Sequence, residues 1–331
     1  MPKTYWHLLA ARRIPTEYEV VSSELLYHVR LGFAVRTPAA EFQARHAPAL
    51  ACSNWEAFRD PRETTYTSYV NEQREREIFV DRLLESSDGG AYDRALDPQW
   101  LQLLERALVP LRYPCHGLHM LAAYIAHAAP AGRLTIAGAF QAGDELRRVQ
   151  RLAYRTQQLA LAHPAFGADA QARWENDPAL QPLREVIERL LVCYEWCEAF
   201  VALQLVVKPL FDGWLCGQLA ALSLRRGDDV LGRMLGSLRD DQVWHRSWSG
   251  ALVAQLLAEA PDNRAAIESM FERWQPRMLG ALEGLAASIG AEVVDAAAVR
   301  AEQRLFLERC GLALPGAAGC VNGGAPLEAA S

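Results

Sequence analysis

Few of the signals that mark common enzyme classes are present in this chain. Its seven cysteines, at 52, 115, 193, 197, 216, 310 and 320, are odd in number and form no Cys-x-x-Cys pair. That argues against a disulfide framework and a zinc knuckle, and it fits a reducing cytoplasm. Basic residues number 34 against 40 acidic, for a net charge of −6, and no basic tract stands out, so nucleic acid has no electrostatic footprint. Lys3, Arg12 and Arg13 interrupt the N-terminus, which lacks the apolar core of a signal peptide. Runs of Val, Ile and Thr with period two are almost absent, so a sheet has no source. There is no P-loop, no G-x-G-x-x-G and no G-x-S-x-G. None of the eight histidines follows a Glu by three residues, so the Glu-x-x-His pairs of helical diiron sites are missing.

What is present is apolar and helical. Of 331 residues, 51% are hydrophobic, enough for a large core. Pro15, Pro38 and Pro48 punctuate residues 1–60, where no apolar period persists; this stretch reads as an extended N-terminal arm, anchored by Trp6, Tyr18, Tyr27 and Phe33 and reaching over a partner. From Thr64 the period is helical, predicting helices over 64–87, 98–129, 133–163, 178–207, 209–225, 228–257 and 262–289. Pro209, after a nine-residue apolar run, is expected to kink or break the chain there. Residues 291–331 read as a C-terminal extension with a loose tail from about 311. Tyr113 to Gly132 is 20 residues without a formal charge, long enough for a bilayer, yet Pro114, His116, His119, His127 and Pro130 favour a buried helix, and no membrane is expected. The fold class is all-α, a helical bundle with additional helices. Several helices look apolar on more than one face, which implies a large subunit interface.

Candidate chemistry is sparse. His116 and His119 have helical i,i+3 spacing suited to a metal, but no carboxylate is near in sequence. Asp228-Asp229 and Asp240-Asp241 invite comparison with the magnesium-binding aspartates of isoprenoid synthases, but neither continues to a third acid at the helical step, and Asp228-Asp229 sits where a helix begins. A stand-alone helical enzyme of isoprenoid synthase type and a helical adaptor protein remain the alternatives on these grounds.

Five strings narrow the choice: TYWHLLAARRIPTEYEVVSS (4–23), NWEAFRDPRETTYTSYV (54–70), LAYRTQQLALAHP (152–164), EAFVALQLVVKP (198–209) and PDNRAAIESMFERWQPR (261–277). Taken together they resemble the β subunit of the hydroxylase component of bacterial multicomponent monooxygenases, nearest the toluene (aromatic and alkene) branch. The resemblance spans residues 4–290. It implies a ferritin-like bundle over 61–290 and an (αβγ)₂ assembly with hydroxylase α and γ subunits. It also implies a regulatory protein, a Rieske-type ferredoxin and a flavin reductase in an NADH-dependent system that oxidises aromatic or alkene substrates with O₂. By the same resemblance the diiron centre is expected in the α subunit. This chain is expected to be a non-catalytic structural subunit with no catalytic residue, metal or cofactor of its own; substrate preference and ring position are not readable from it.

The resemblance also implies where a lost site would lie. Asp144-Glu145-x-x-Arg148 resembles a D-E-x-R-H ligand segment with Arg148 in place of histidine. Asp241-Gln242-x-x-His245 resembles the second, with Gln242 in place of glutamate. Lys208 stands where a lone glutamate belongs, and the last ligand position falls near Gly117–His119, where no acid occurs. Glu145, Arg148, Lys208, Gln242 and His245 are thus expected to form a degenerate diiron site, closed by an ion pair from Glu145 to Lys208 or Arg148, with Gln242 and His245 completing the hydrogen bonds.

Overall fold

A computed structural model describes residues 14–22, 48–86 and 90–312. Those residues are helical, without a strand. In chain order the helices are α1 (Glu17–Ser22), α2 (Tyr66–Ser86), α3 (Ala91–Arg94), α4 (Pro98–Ala107), α5 (Arg112–His127), α6 (Gly132–Ala162), α7 (Ala170–Asn176) and α8 (Gln181–Leu191). After them come α9 (Trp196–Arg225), α10 (Asp229–Glu259), α11 (Asn263–Ile289) and α12 (Ala296–Arg309). The helix α5 turns tightly into α6 and packs along it. α6, α9 and α10 enclose one interior, with α2 laid across α6 and α10, and α11 and α12 against α9.

The starts of these helices follow ordinary capping chemistry. Asp97 accepts from the Gln99 amide with Pro98 in the first turn, Asp228 accepts from Leu231, and Asp295 from Ala298. Two expected long helices are divided. The 98–129 segment breaks into a 3₁₀ turn at Val109–Leu111, because Pro110 cannot donate to the ladder. The 178–207 segment ends at Leu191 and restarts where Glu195 caps Glu198.

The chain does not break at Pro209: the helix runs through it. α9 relaxes into π-helical turns at Ala202–Val207 and Gly213–Leu219, on either side of Lys208–Asp212. A regular α-helix would pair the Leu205 carbonyl with the N–H that Pro209 lacks. Here Gln303 of α12 donates to that carbonyl at 2.7 Å, and Gln303 and Gln275 of α11 exchange amide hydrogen bonds at 2.7 and 3.0 Å. Residues 296–309 are therefore part of the folded body, with Val299, Gln303, Phe306 and Leu307 buried. Gln303→Leu should lower stability to urea by about 1–3 kcal/mol, because it strands a buried carbonyl. Gln275→Leu should cost less, since Gln303 keeps its bond to Leu205.

Among the described residues the one helix apolar and long enough to cross a bilayer is α9, not the 113–132 stretch, and every residue in its most apolar window is buried within the chain. The arm expected over residues 1–60 lies partly outside the described residues. Within them, Tyr18, Leu50 and Phe58 are buried on the chain's own bundle, and the Tyr18 hydroxyl accepts from the Asp60 amide at 3.0 Å. The tail from residue 313 onward also lies outside the described residues.

Candidate functional site

Four ions sit in the interior, surrounded by Leu, Phe and Trp. Glu145 and Arg148 occupy one face of α6 at i,i+3, and Lys208 and Asp212 one face of α9 at i,i+4. All four are at most 3% exposed. Lys208 Nζ bonds Glu145 Oε1 and lies 3.0 Å from Asp212 Oδ2. Arg148 Nη1 lies 3.1 Å from Glu145 Oε2 and 2.8 Å from Asp212 Oδ1. Each cation touches both anions, so the ring is closed and formally neutral. Burial works against charge on Arg148, but Asp212 and Glu145 outweigh it and hold the guanidinium well above its ordinary value. Burial likewise opposes the Asp212 carboxylate, yet Arg148 and Lys208 pull it below the usual range.

A second polar layer continues towards solvent. His245 Nε2 lies 2.9 Å from Asp144 Oδ2, whose other oxygen accepts from the Tyr69 hydroxyl at 2.9 Å and Gln73 at 2.8 Å. Asp241 accepts from Arg76, Arg147 and Gln73. Arg147 and Arg151 both reach Glu77 of α2. The inward face of α2 is thus polar over Tyr69 to Glu77, and only Val80 and Leu84 of this helix are fully buried.

Asp144 and His245 shift in opposite directions. Burial, then Asp241, raises the Asp144 carboxyl well above its usual range. Burial, then Lys208 and Arg148, pushes the His245 imidazole well below its own. The raised acid gives up stability as pH rises from its unfolded value through its folded one, and the depressed histidine does so as pH falls from its unfolded value through its folded one. The two slopes therefore oppose each other. Asp144→Asn removes the raised acid, so its stability relative to the parent should rise as pH is taken upward from about 4, the ordinary Asp value, read as the difference in urea midpoints. A difference that stays constant as pH rises would refute this assignment.

The structure brings Glu145, Arg148, Lys208 and His245 together, with two corrections. Gln242 turns to the Cys216 thiol, which burial pushes up to about 11. His245 bonds Asp144, and its Nδ1 stays 3.9 Å from Glu145, too far for a hydrogen bond. The α5 position beside the ring is Cys115, whose thiol is raised by burial and feels Arg148 and Glu145. It is not at Gly117–His119: a Cβ on Gly117 would meet Ile187 at 2.4 Å, and His119 bonds the Ala142 carbonyl at 2.8 Å. Asp212 was missed altogether, although the spacing Lys208-x-x-x-Asp212 already placed an acid on the lysine's face. Of the remaining candidates, His116 and His119 stack with centroids 5.8 Å apart. Asp229 and Asp240 are exposed, while Asp228 and Asp241 are buried against arginines. Among the described residues no three His, Cys, Asp or Glu side chains are grouped to hold a metal.

The ring does not fit a metal pair. A fixed cation about 4 Å from a divalent metal is repelled by about 8 kcal/mol at an effective dielectric near 20. Here two cations already occupy the carboxylate oxygens.

Residues 34–260 match the family described as Methane/Phenol/Alkene Hydroxylase. The chain belongs to that hydroxylase family. It is 33% identical over 303 residues to the hydroxylase component subunit beta of the toluene-4-monooxygenase system of Ectopseudomonas mendocina, covering 89% of this chain and 92% of that one. A solved chain of toluene 4-monooxygenase, in a structure with toluene in the resting active site, superposes with a TM-score of 0.80 at 32% identity, over 87% of this chain and 97% of that one. Phenol hydroxylase from Pseudomonas sp. OX1 shares the fold, with a TM-score of 0.81 at 21% identity over 93% and 94% of the two chains. Membership in the hydroxylase family puts the ion ring inside a bundle of known relatives and leaves its chemistry to be read from its own residues.

Proposed function

We propose that this chain is the metal-free β-type subunit of the hydroxylase component of an aromatic or alkene monooxygenase. In that reading Cys115, Glu145, Arg148, Lys208, Gln242 and His245 are the remnant of a diiron site, and the chain supports a partner α subunit that carries the iron. The observation behind it is the neutral ring at the centre of the bundle. Two side-chain pairs spaced i,i+3, Glu145/Arg148 and Gln242/His245, come from separate helices, as Glu-x-x-His pairs do in diiron bundles, and a lysine comes from a third. Charge that iron would supply is supplied by Lys208 and Arg148 instead.

The chain's own chemistry is then structural. It forms no intermediate and moves no electron; it holds helices in register and presents their outer faces to the partner subunits. The wider assembly, (αβγ)₂ with a regulatory protein, a Rieske-type ferredoxin and a flavin reductase, belongs to the same proposal, as does an N-terminal arm lying on the α subunit.

Co-expression with an α subunit bearing two Glu-x-x-His motifs, followed by purification through a tag on this chain, tests the reading. Iron should co-purify in proportion to the α chain and be absent from this chain isolated after dissociation. Iron bound to the isolated chain, or failure to assemble with such a partner, overturns it.

A further inference from the structure

Lys208 is one of two lysines among the 34 basic residues of this chain, the other being Lys3. Among the described residues every other buried cation is an arginine: Arg147, Arg148 and Arg155 are each at most 6% exposed. Lysine stands where a compact point charge meets two carboxylates, its ammonium reaching Glu145 Oε1 and Asp212 Oδ2 beside the guanidinium of Arg148.

We infer that Glu145 and Asp212 form a receptor for a monovalent ammonium group, which the protein fills permanently with its own tethered lysine. Three observations support this. The receptor's two carboxylates come from different helices, α6 and α9, so the bundle, and not α9 alone, builds it. Each carboxylate also faces Arg148 Nη1, which hydrogen-bonds Asp212 Oδ1 at 2.8 Å and ion-pairs with Glu145 Oε2 at 3.1 Å, so both keep a cationic partner if the lysine goes. Finally, with Lys208 removed the site holds two carboxylates and one guanidinium, a residual charge of minus one. A monovalent cation neutralises it, whereas a divalent metal leaves an excess positive charge next to Arg148. The inference rests on this geometry alone and stands whether or not the site descends from a diiron centre.

The test is chemical rescue of Lys208→Ala in the full chain. The substitution removes four heavy atoms, which n-propylammonium replaces one for one. Thermal unfolding should show Lys208→Ala melting on the order of 5 °C below the parent. n-Propylammonium should restore at least half of that loss, more than ethylammonium, which in turn exceeds methylammonium, with the midpoint rising as the logarithm of amine concentration. Potassium chloride of equal ionic strength, 1-propanol, manganese and zinc should restore little. Where Lys208→Ala does not fold unaided, the yield of soluble chain refolded with and without n-propylammonium is the readout. The variant Glu145→Gln/Lys208→Ala, whose site is already neutral, should melt higher than Lys208→Ala and lose the amine response. Equal rescue by potassium, stronger rescue by a divalent metal, or no response to any amine overturns the inference.

Discussion

Glu145→Ala is expected to cost the chain about 3–5 kcal/mol, and a second substitution, Lys208→Met, should give part of it back. With Glu145 truncated, Asp212 alone faces Lys208 and Arg148, and one positive charge is left uncompensated in a site where none of the four ions is more than 3% exposed. Adding Lys208→Met leaves Arg148 and Asp212, a neutral pair already 2.8 Å apart. The double variant should therefore be more stable than Glu145→Ala alone, with a coupling energy of about 2–3 kcal/mol in a double-mutant cycle. Lys208→Met by itself should be the milder single change, because the surplus carboxylate can take up a proton. From an ordinary Glu value near 4.3, neutralising it at pH 7 costs at most about 3.7 kcal/mol, and the deficit shrinks as pH falls towards 5. The surplus cation left by Glu145→Ala has no such escape, since Arg148 does not deprotonate and acid does not help Lys208. Urea midpoints of the three variants at pH 5 and 7 decide the matter. Additive single effects, or a Lys208→Met deficit that grows in acid, would mean that the four residues do not act as one ring.

How much of this was legible in the sequence depends on the length scale. Long helices from Thr64 onward follow from apolar period and from Asp caps, and they form as expected, since a wide apolar stripe finds a core whatever the detail around it. Breaks were harder. Pro110 was not noticed as a stop, and Pro209 was read as a kink or a break, because the sequence does not show that Gln303, nearly a hundred residues on, supplies the missing partner for Leu205. The same blindness to long-range partners hid Cys115, while Asp212 was overlooked despite its i,i+4 spacing from Lys208. Composition and spacing never pointed at Lys208 and Arg148 as a site. A lysine ending an apolar run reads as a helix end reaching solvent, and an arginine three residues after a glutamate reads as a surface pair. Only the resemblance to a family with ligands at those positions turned them inward. On α6, α9 and α10 the positions it named lie in the interior, Glu145, Arg148, Lys208, Gln242 and His245 all being buried, whereas on α5, where the acid itself is gone, it left the register open.

Asp228 carries the second large expected effect, and it separates the reading of the aspartate pairs as structure from their reading as a metal site. Its Oδ1 caps the Leu231 amide at 3.0 Å and lies 3.4 Å from Arg155 Nη2, while Oδ2 accepts from the indole of Trp100 at 3.0 Å. Arg155 is fully buried and otherwise paired with Asp93 at 2.8 Å. One carboxylate thus starts α10, satisfies a buried indole and balances a buried guanidinium shared by α3 and α6. Asp228→Ala removes a cap worth about 1 kcal/mol. It also strands Trp100 Nε1 and leaves Arg155 with a single counter-ion. The sum should reach about 4–6 kcal/mol, the largest loss expected from any one substitution in the chain. Asp228→Asn keeps an oxygen for the cap but turns an amide NH2 towards the Trp100 indole N–H and leaves Arg155 short of a counter-ion, so it should recover only about 1 kcal/mol, the worth of the cap. Asp229→Ala, at the exposed neighbour, should cost less than 1 kcal/mol, the worth of a carboxylate in the first turn of a helix. Urea unfolding of the three variants, each with and without millimolar magnesium, gives the comparison. If Asp228→Ala and Asp229→Ala fell equally, or if magnesium stabilised the parent and neither variant, the pair would be acting together on a metal and the capping account would fail.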